Sequence, residues 1–125
     1  MNHPIKIHFK DGARLRLQLA HLVTRRTNIS LEEPVKSHEG VFVALYHNKV
    51  QSFLDVTGVP EHLLLLFNRD KEYIGFNPCI TSGDSSYIIG TRAKYAILLP
   101  DKKFPYDIHQ ISHLETEYDV NIEMA

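Results

Sequence analysis

The sequence predicts a mainly β protein. It reads as an antiparallel β-sandwich of jelly-roll type, or a partly open barrel, of about seven or eight strands with two short helices. Three observations carry that prediction. Period-two alternation flanks an Asp-Gly turn near the start of the chain, short apolar runs are bounded by turn-forming residues, and no long amphipathic pattern supplies the crossover helices of a βαβ fold.

Ile5, Ile7 and Phe9 alternate with Lys6 and His8, as a half-buried strand requires, and Lys10-Asp11-Gly12 follows as a turn. Leu15, Leu17 and Leu19 then alternate with Arg14, Arg16 and Gln18, which completes a hairpin. From Ala20 the period changes: Leu22, Arg26 and Ile29 stand at roughly helical spacing, so a first short helix is expected over 20–29. Ser30-Leu-Glu-Glu33 has the form of a capping box. Pro34 cuts it short, leaving a turn of helix inside a loop over 30–39.

Gly40-VFVALY-46 is a continuous apolar run, and Val50-QSFL-54 resumes an extended segment. His62-LLLLF-67 is bounded by Pro60 and by Asn68-Arg-Asp-Lys71. Leucine favours helices, but so short a run between turn signals fits a strand covered on both faces. Glu72-YIGF-76 is extended, and Asn77-Pro78 and Thr81-SGDSS-86 mark a loop. Tyr87-II-89 and Lys94-YAILL-99 are further strands, the second halted by Pro100. Over 104–118, Ile108, Ile111, Leu114 and Tyr118 form a seam at helical spacing with Asp107 as N-cap, predicting the second helix. Val120, Ile122 and Met124 alternate and predict a last strand. No repeat or linker divides residues 1–125, which are expected to form one domain.

Composition narrows the function classes. The hydrophobic fraction is 43% and the charged fraction 23%, ordinary for a globular protein. Cys79 is the sole cysteine, so neither an internal disulfide nor a cysteine-rich zinc site is available. The chain opens on a charged, alternating segment without a signal-peptide core, and no apolar run approaches the roughly 18 residues that span a bilayer. A cytoplasmic protein without membrane partners is expected. Fourteen basic and fifteen acidic residues leave a formal charge of −1, with residues 1–40 at +3 (seven against four) and 101–125 at −4 (two against six). The acidic end would repel nucleic acid. The one basic concentration, Arg14, Arg16, Arg25 and Arg26, lacks interleaved aromatics, which argues against a nucleic-acid partner.

The order of motifs resembles the domain-of-unknown-function 192 family. Gln18-Leu-Ala20 stands where that family has a Glu-Leu-Ala-like tripeptide, and Thr24-Arg-Arg26 where it has Thr-x-x-Glu-Arg, with Arg26 at the family's arginine. Gly40-VFVAL-45, Ser52-FLDVTG-58, the apolar LLLLF, Tyr87 and Ala93-KYAILLP-100 follow in the family's order, covering roughly residues 13–100. The family's Trp-Met-Lys-Asn block is replaced here by Leu54, Asp55, Val56 and Thr57. The resemblance implies a jelly-roll-like sandwich and brings no established reaction. Arg26, at the family's arginine, is expected either to join a binding site or to hold the helix to the sheet through an ion pair.

Eight histidines invite a test for metal. His109 and His113 are four apart on the predicted helix with Glu117 beyond them, but the spacer lacks the HExxH glutamate and no third ligand has a diagnostic spacing. No nucleophile elbow is present. Cys79 has no local activating charge, and the paired carboxylates lie on exposed elements. No cofactor is implied. The expectation is a non-enzymatic ligand-binding or protein-interaction module using loop ends around 52–58 and 81–87, with Arg26, Asp55, Thr57, Asp84 and Tyr87 as contacts. The rival is an enzyme acting on a small molecule or sugar, or a metal-binding protein, that uses its histidines.

Overall fold

The computed structural model describes residues 4–31, 40–46, 52–56, 59, 62–79, 86–89, 92–99 and 104–122. It is mainly β. The strands are β1 (Ile5–Phe9), β2 (Arg14–Leu17), β3 (Ala20–Thr24), β4 (Asn28–Ser30), β5 (Val41–Leu45) and β6 (Ser52–Asp55). They continue with β7 (His62–Phe67), β8 (Tyr73–Cys79), β9 (Ser86–Ile89), β10 (Tyr95–Leu99) and β11 (Ile111–Glu115). The described strands form three sheets, ordered β11-β1-β2, β3-β5-β10-β7-β8 and β4-β6-β9. No sheet closes among the described residues.

The five-stranded sheet explains the long apolar runs. Every residue of β5 and β10 is buried. Phe42, Ala44, Leu63, Leu65, Phe67, Tyr95, Ile97 and Leu99 pack in one cluster with Ile5, Ile7 and Phe9 of β1 and Ile111 and Leu114 of β11. The alternate residues Val41, Val43, Leu45, Leu64, Ala96 and Leu98 pack in a second cluster with Ile29 of β4 and the following Leu31, and with Leu54 of β6 and the following Val56. Successive side chains of a strand point to opposite faces, so VFVAL, HLLLLF and YAILL each feed both clusters. HLLLLF is the strand β7 that the sequence predicted, between β10 and β8. Full burial of one such leucine stabilises the fold by about 1.5–3 kcal/mol.

The predicted hairpin also forms. β1 and β2 pair antiparallel with Ile5 opposite Leu17 and His8 opposite Arg14. Gly12 closes the turn at a φ of 91°, in the left-handed region, and its N–H donates to the Phe9 carbonyl at 3.0 Å.

Four expectations are corrected. Residues 20–29 are not a helix, because β3 pairs in parallel with β5 and β4 in parallel with β6. Backbone partners outside the segment, together with β-branched Val23 and Thr24, override its helical spacing. Those two parallel pairs also make the sheets mixed rather than purely antiparallel.

Residues 104–118 hold one turn of 3-10 helix (Ile108–Gln110) followed by β11. The apparent helical seam comes from a bulge. Phe9 pairs with Ile111 and His8 with His113, so Ser112 is the extra residue, and Ile111 and Leu114, three apart, both reach the core. Asp107 still acts as a cap: its Oδ1 accepts from the His109 N–H at 2.9 Å. Finally, 118–122 is a turn, with Ile122 N–H donating to Asp119 O at 3.1 Å and the Ile122 side chain 65% exposed, so no last strand begins there. The helical turn expected over 30–39 falls mostly on 32–39, outside the described residues.

Candidate functional site: an aromatic cleft

The segment after residue 104 builds an open cleft against the end of the five-stranded sheet. Pro105 fixes its own φ, and Phe104 and Tyr106 on either side of it both reach Phe9, with ring centroids 6.1 and 4.7 Å away. The Asp107 cap then turns the chain so that His109 meets Phe76 of β8 edge-on, at 5.8 Å and 79°. Leu63, Phe76, Phe104, Tyr106, Asp107, Ile108 and His109 line a cleft of about 380 Å³. Leu63 and Ile108 add apolar surface, Tyr106 is 43% exposed, and Asp107 and His109 bring a carboxylate and an imidazole. Small-molecule sites have this make-up: an apolar and aromatic wall with a few polar groups that fix orientation, in roughly 300–1,000 Å³.

The residues expected from sequence fall elsewhere. Asp55 ends β6 half-buried, and its carbonyl accepts from the Leu31 N–H at 2.9 Å. Tyr87 lies on the neighbouring strand, where β6 and β9 pair with Leu54 opposite Tyr87 and Asp55 opposite Ser86. The structure therefore brings these two positions onto adjacent strands. Arg26 is exposed in the connection between β3 and β4, with its N–H donating to Thr24 Oγ1 at 2.9 Å. Because β4 and β6 run in parallel from Asn28 opposite Phe53 to Ser30 opposite Asp55, Arg26 precedes the end of that sheet away from Asp55. Thr57 and Asp84 lie outside the described residues.

His109 and His113 do not share a helix face. His109 sits in the 3-10 turn against Phe76, whereas His113 lies in β11 and stacks on His8 at 4.4 Å and 5°. Among the described residues no three His, Cys, Asp or Glu side chains are grouped to hold a metal ion. No helix among them is long and apolar enough to cross a membrane.

Fold and cleft together define a small β-rich protein with an open, aromatic-lined cleft. No family model matches the chain, and no curated protein matches it. Two solved structures share the fold. One is a protein of unknown function from Novosphingobium aromaticivorans DSM 12444, with TM-score 0.67 and 8% identity, covering 91% of this chain and 84% of that one. The other, from Sinorhizobium meliloti 1021, is described as a "putative transcription regulator"; its TM-score is 0.67 at 10% identity, covering 93% of this chain and 94% of that one.

Proposed function

We propose that this protein is a non-enzymatic binding module that takes a small, flat, partly polar molecule in the cleft between Phe76, Phe104 and Tyr106. The observation that carries the reading is the convergence of those rings with Asp107 and His109 around about 380 Å³. Aromatic walls select a planar face. The Asp107 carboxylate, which offers one oxygen beyond that used by the cap, selects a hydrogen-bond donor on the ligand.

The layered packing of the sheets supports reading the molecule as a sandwich, a scaffold that holds such walls rigid. The resemblance to the domain-of-unknown-function 192 family stands as part of this proposal.

Titration of the protein with an indole series and a methyl-pyranoside series, followed by NMR, tests the proposal. The expected result is saturable shifts at Phe76, Tyr106 and His109 for one series, reduced at least about tenfold in affinity by Tyr106→Ala. Ligand at a hundred times its Kd should also stabilise the protein by about 2.7 kcal/mol. Shifts confined to residues outside the cleft, or none with either series, would remove the reading.

A further inference from the structure

The outer face of the β11-β1-β2 sheet carries a grid of charge. Directly opposed residues of neighbouring strands share a face. Arg14, His8 and His113 therefore form one row across the three strands, and Arg16, Lys6 and Glu115 form the next. Glu72, bridged to His113, continues the first row and gives it an acidic border. Neighbouring strands lie about 4.8 Å apart, which puts Glu72 roughly 14 Å from the arginine edge. Positive charge therefore concentrates over β1 and β2.

This face already holds one carboxylate. Glu115 Oε1 lies 2.7 Å from His8 Nε2, and Oε2 lies 3.7 Å from Lys6 Nζ. The His8 hydrogen bond, with Lys6 and Arg14 adding to it, holds the Glu115 carboxyl below the usual carboxylate range although its side chain is half exposed. His113 contacts Ser112 Oγ through Nδ1 at 3.1 Å, which leaves its Nε2 for another partner. Among the described residues Arg14 and Arg16 have neither an ion pair nor a hydrogen bond from their guanidinium groups.

We propose that this face is a binding site for a soluble phosphomonoester, whose dianionic head is held by Arg14, Arg16 and Lys6 with the His8–His113 pair, in competition with the protein's own Glu115. Guanidinium groups match phosphate oxygens in forked geometry, and phosphate carries the charge needed to displace a carboxylate. The charged and polar groups that face one another across this site are Arg14 and Arg16 from β2, Lys6 and His8 from β1, Ser112, His113 and Glu115 from β11, and Glu72 just before β8.

The test is titration of the full chain with phenyl phosphate, read by ³¹P NMR and by the imidazole resonances of His8 and His113, at a pH where the phosphate is dianionic. Two results are expected: at least about tenfold loss in Arg14→Gln/Arg16→Gln, and several-fold gain in Glu115→Gln. All three substitutions are at exposed positions, and thermal melts of each variant establish that it is folded. Glu115→Gln with unchanged or weaker affinity overturns the proposal, because Glu115 then competes with nothing. So does phosphate binding no tighter than chloride. Preferential binding of a single-stranded oligonucleotide, or of a vesicle of anionic lipid, overturns it in favour of that partner.

Discussion

Tyr95 shows how much one buried polar atom organises. Its ring lies in the first core cluster, while its hydroxyl donates to Tyr118 O at 3.3 Å and accepts from the Val120 N–H at 2.8 Å. That single oxygen pins the segment after β11, which has no strand partner of its own. Tyr118 in turn stacks on Phe42 and meets His21, whose Nδ1 lies 3.1 Å from the Tyr118 hydroxyl. Burial pushes the Tyr95 phenol up from 10.0 to about 12, and burial also raises Tyr73 and Tyr118.

A raised phenol means that the neutral form belongs to the fold. The associated stability is complete below pH 10 and is lost as pH rises from there through about 12. Tyr95→Phe should cost about 1–3 kcal/mol at neutral pH, by leaving the Val120 N–H unpartnered. It should also flatten the decline of the urea midpoint between pH 10 and 12. An unchanged slope there would show that other groups govern the alkaline transition. None of these contacts was legible in the sequence, which assigned Tyr118 to a helix, because they join residues from 23 to 97 positions apart.

Among the elements, legibility followed the source of each strand's order. β5, β7 and β10 could be read directly, since a strand with both faces covered announces itself as an apolar run. β3, β4 and β11 could not. The three residues of β4 gain their conformation from β6, and the bulge at Ser112 turns a two-residue period into the three-residue spacing of a helix.

The start of β5 offers a test of how closely these elements approach. A Cβ on Gly40 would lie 2.6 Å from the Leu98 carbonyl oxygen and 2.9 Å from the Leu19 and Leu99 methyls. Gly40→Ala should therefore cost about 1–3 kcal/mol by denaturant unfolding, since backbone of β10 cannot yield as a flexible side chain would. A midpoint equal to that of the parent chain would mean that the strands separate there at little cost. The cleft was equally hidden at this scale, because Leu63, Phe76 and 104–109 come from three separated segments.

For the molecule as a whole, the central sheet ties two cores together. Leu64 and Leu65 are neighbours in β7, yet Leu64 belongs to the cluster with Leu54 and Val56, and Leu65 to the one with Ile5 and Ile7. Each Leu→Ala change removes a buried side chain and should cost about 2–5 kcal/mol. Since both clusters share β5, β7 and β10, each variant should unfold in one transition, with far-ultraviolet dichroism and tyrosine fluorescence coincident. Two separated transitions in either variant would show that the layers unfold independently.

The sequence by itself determined that the protein is mainly β, where its buried strands lie, and where its first turn falls, because burial and turn chemistry are written in local composition. Tertiary structure alone decided the mixed sheet order, the strands read as helices, the aromatic cleft, and the row of Arg14, His8 and His113. Those depend on register between distant segments, and register is fixed by the competition of whole strands for partners rather than by any one residue's preference.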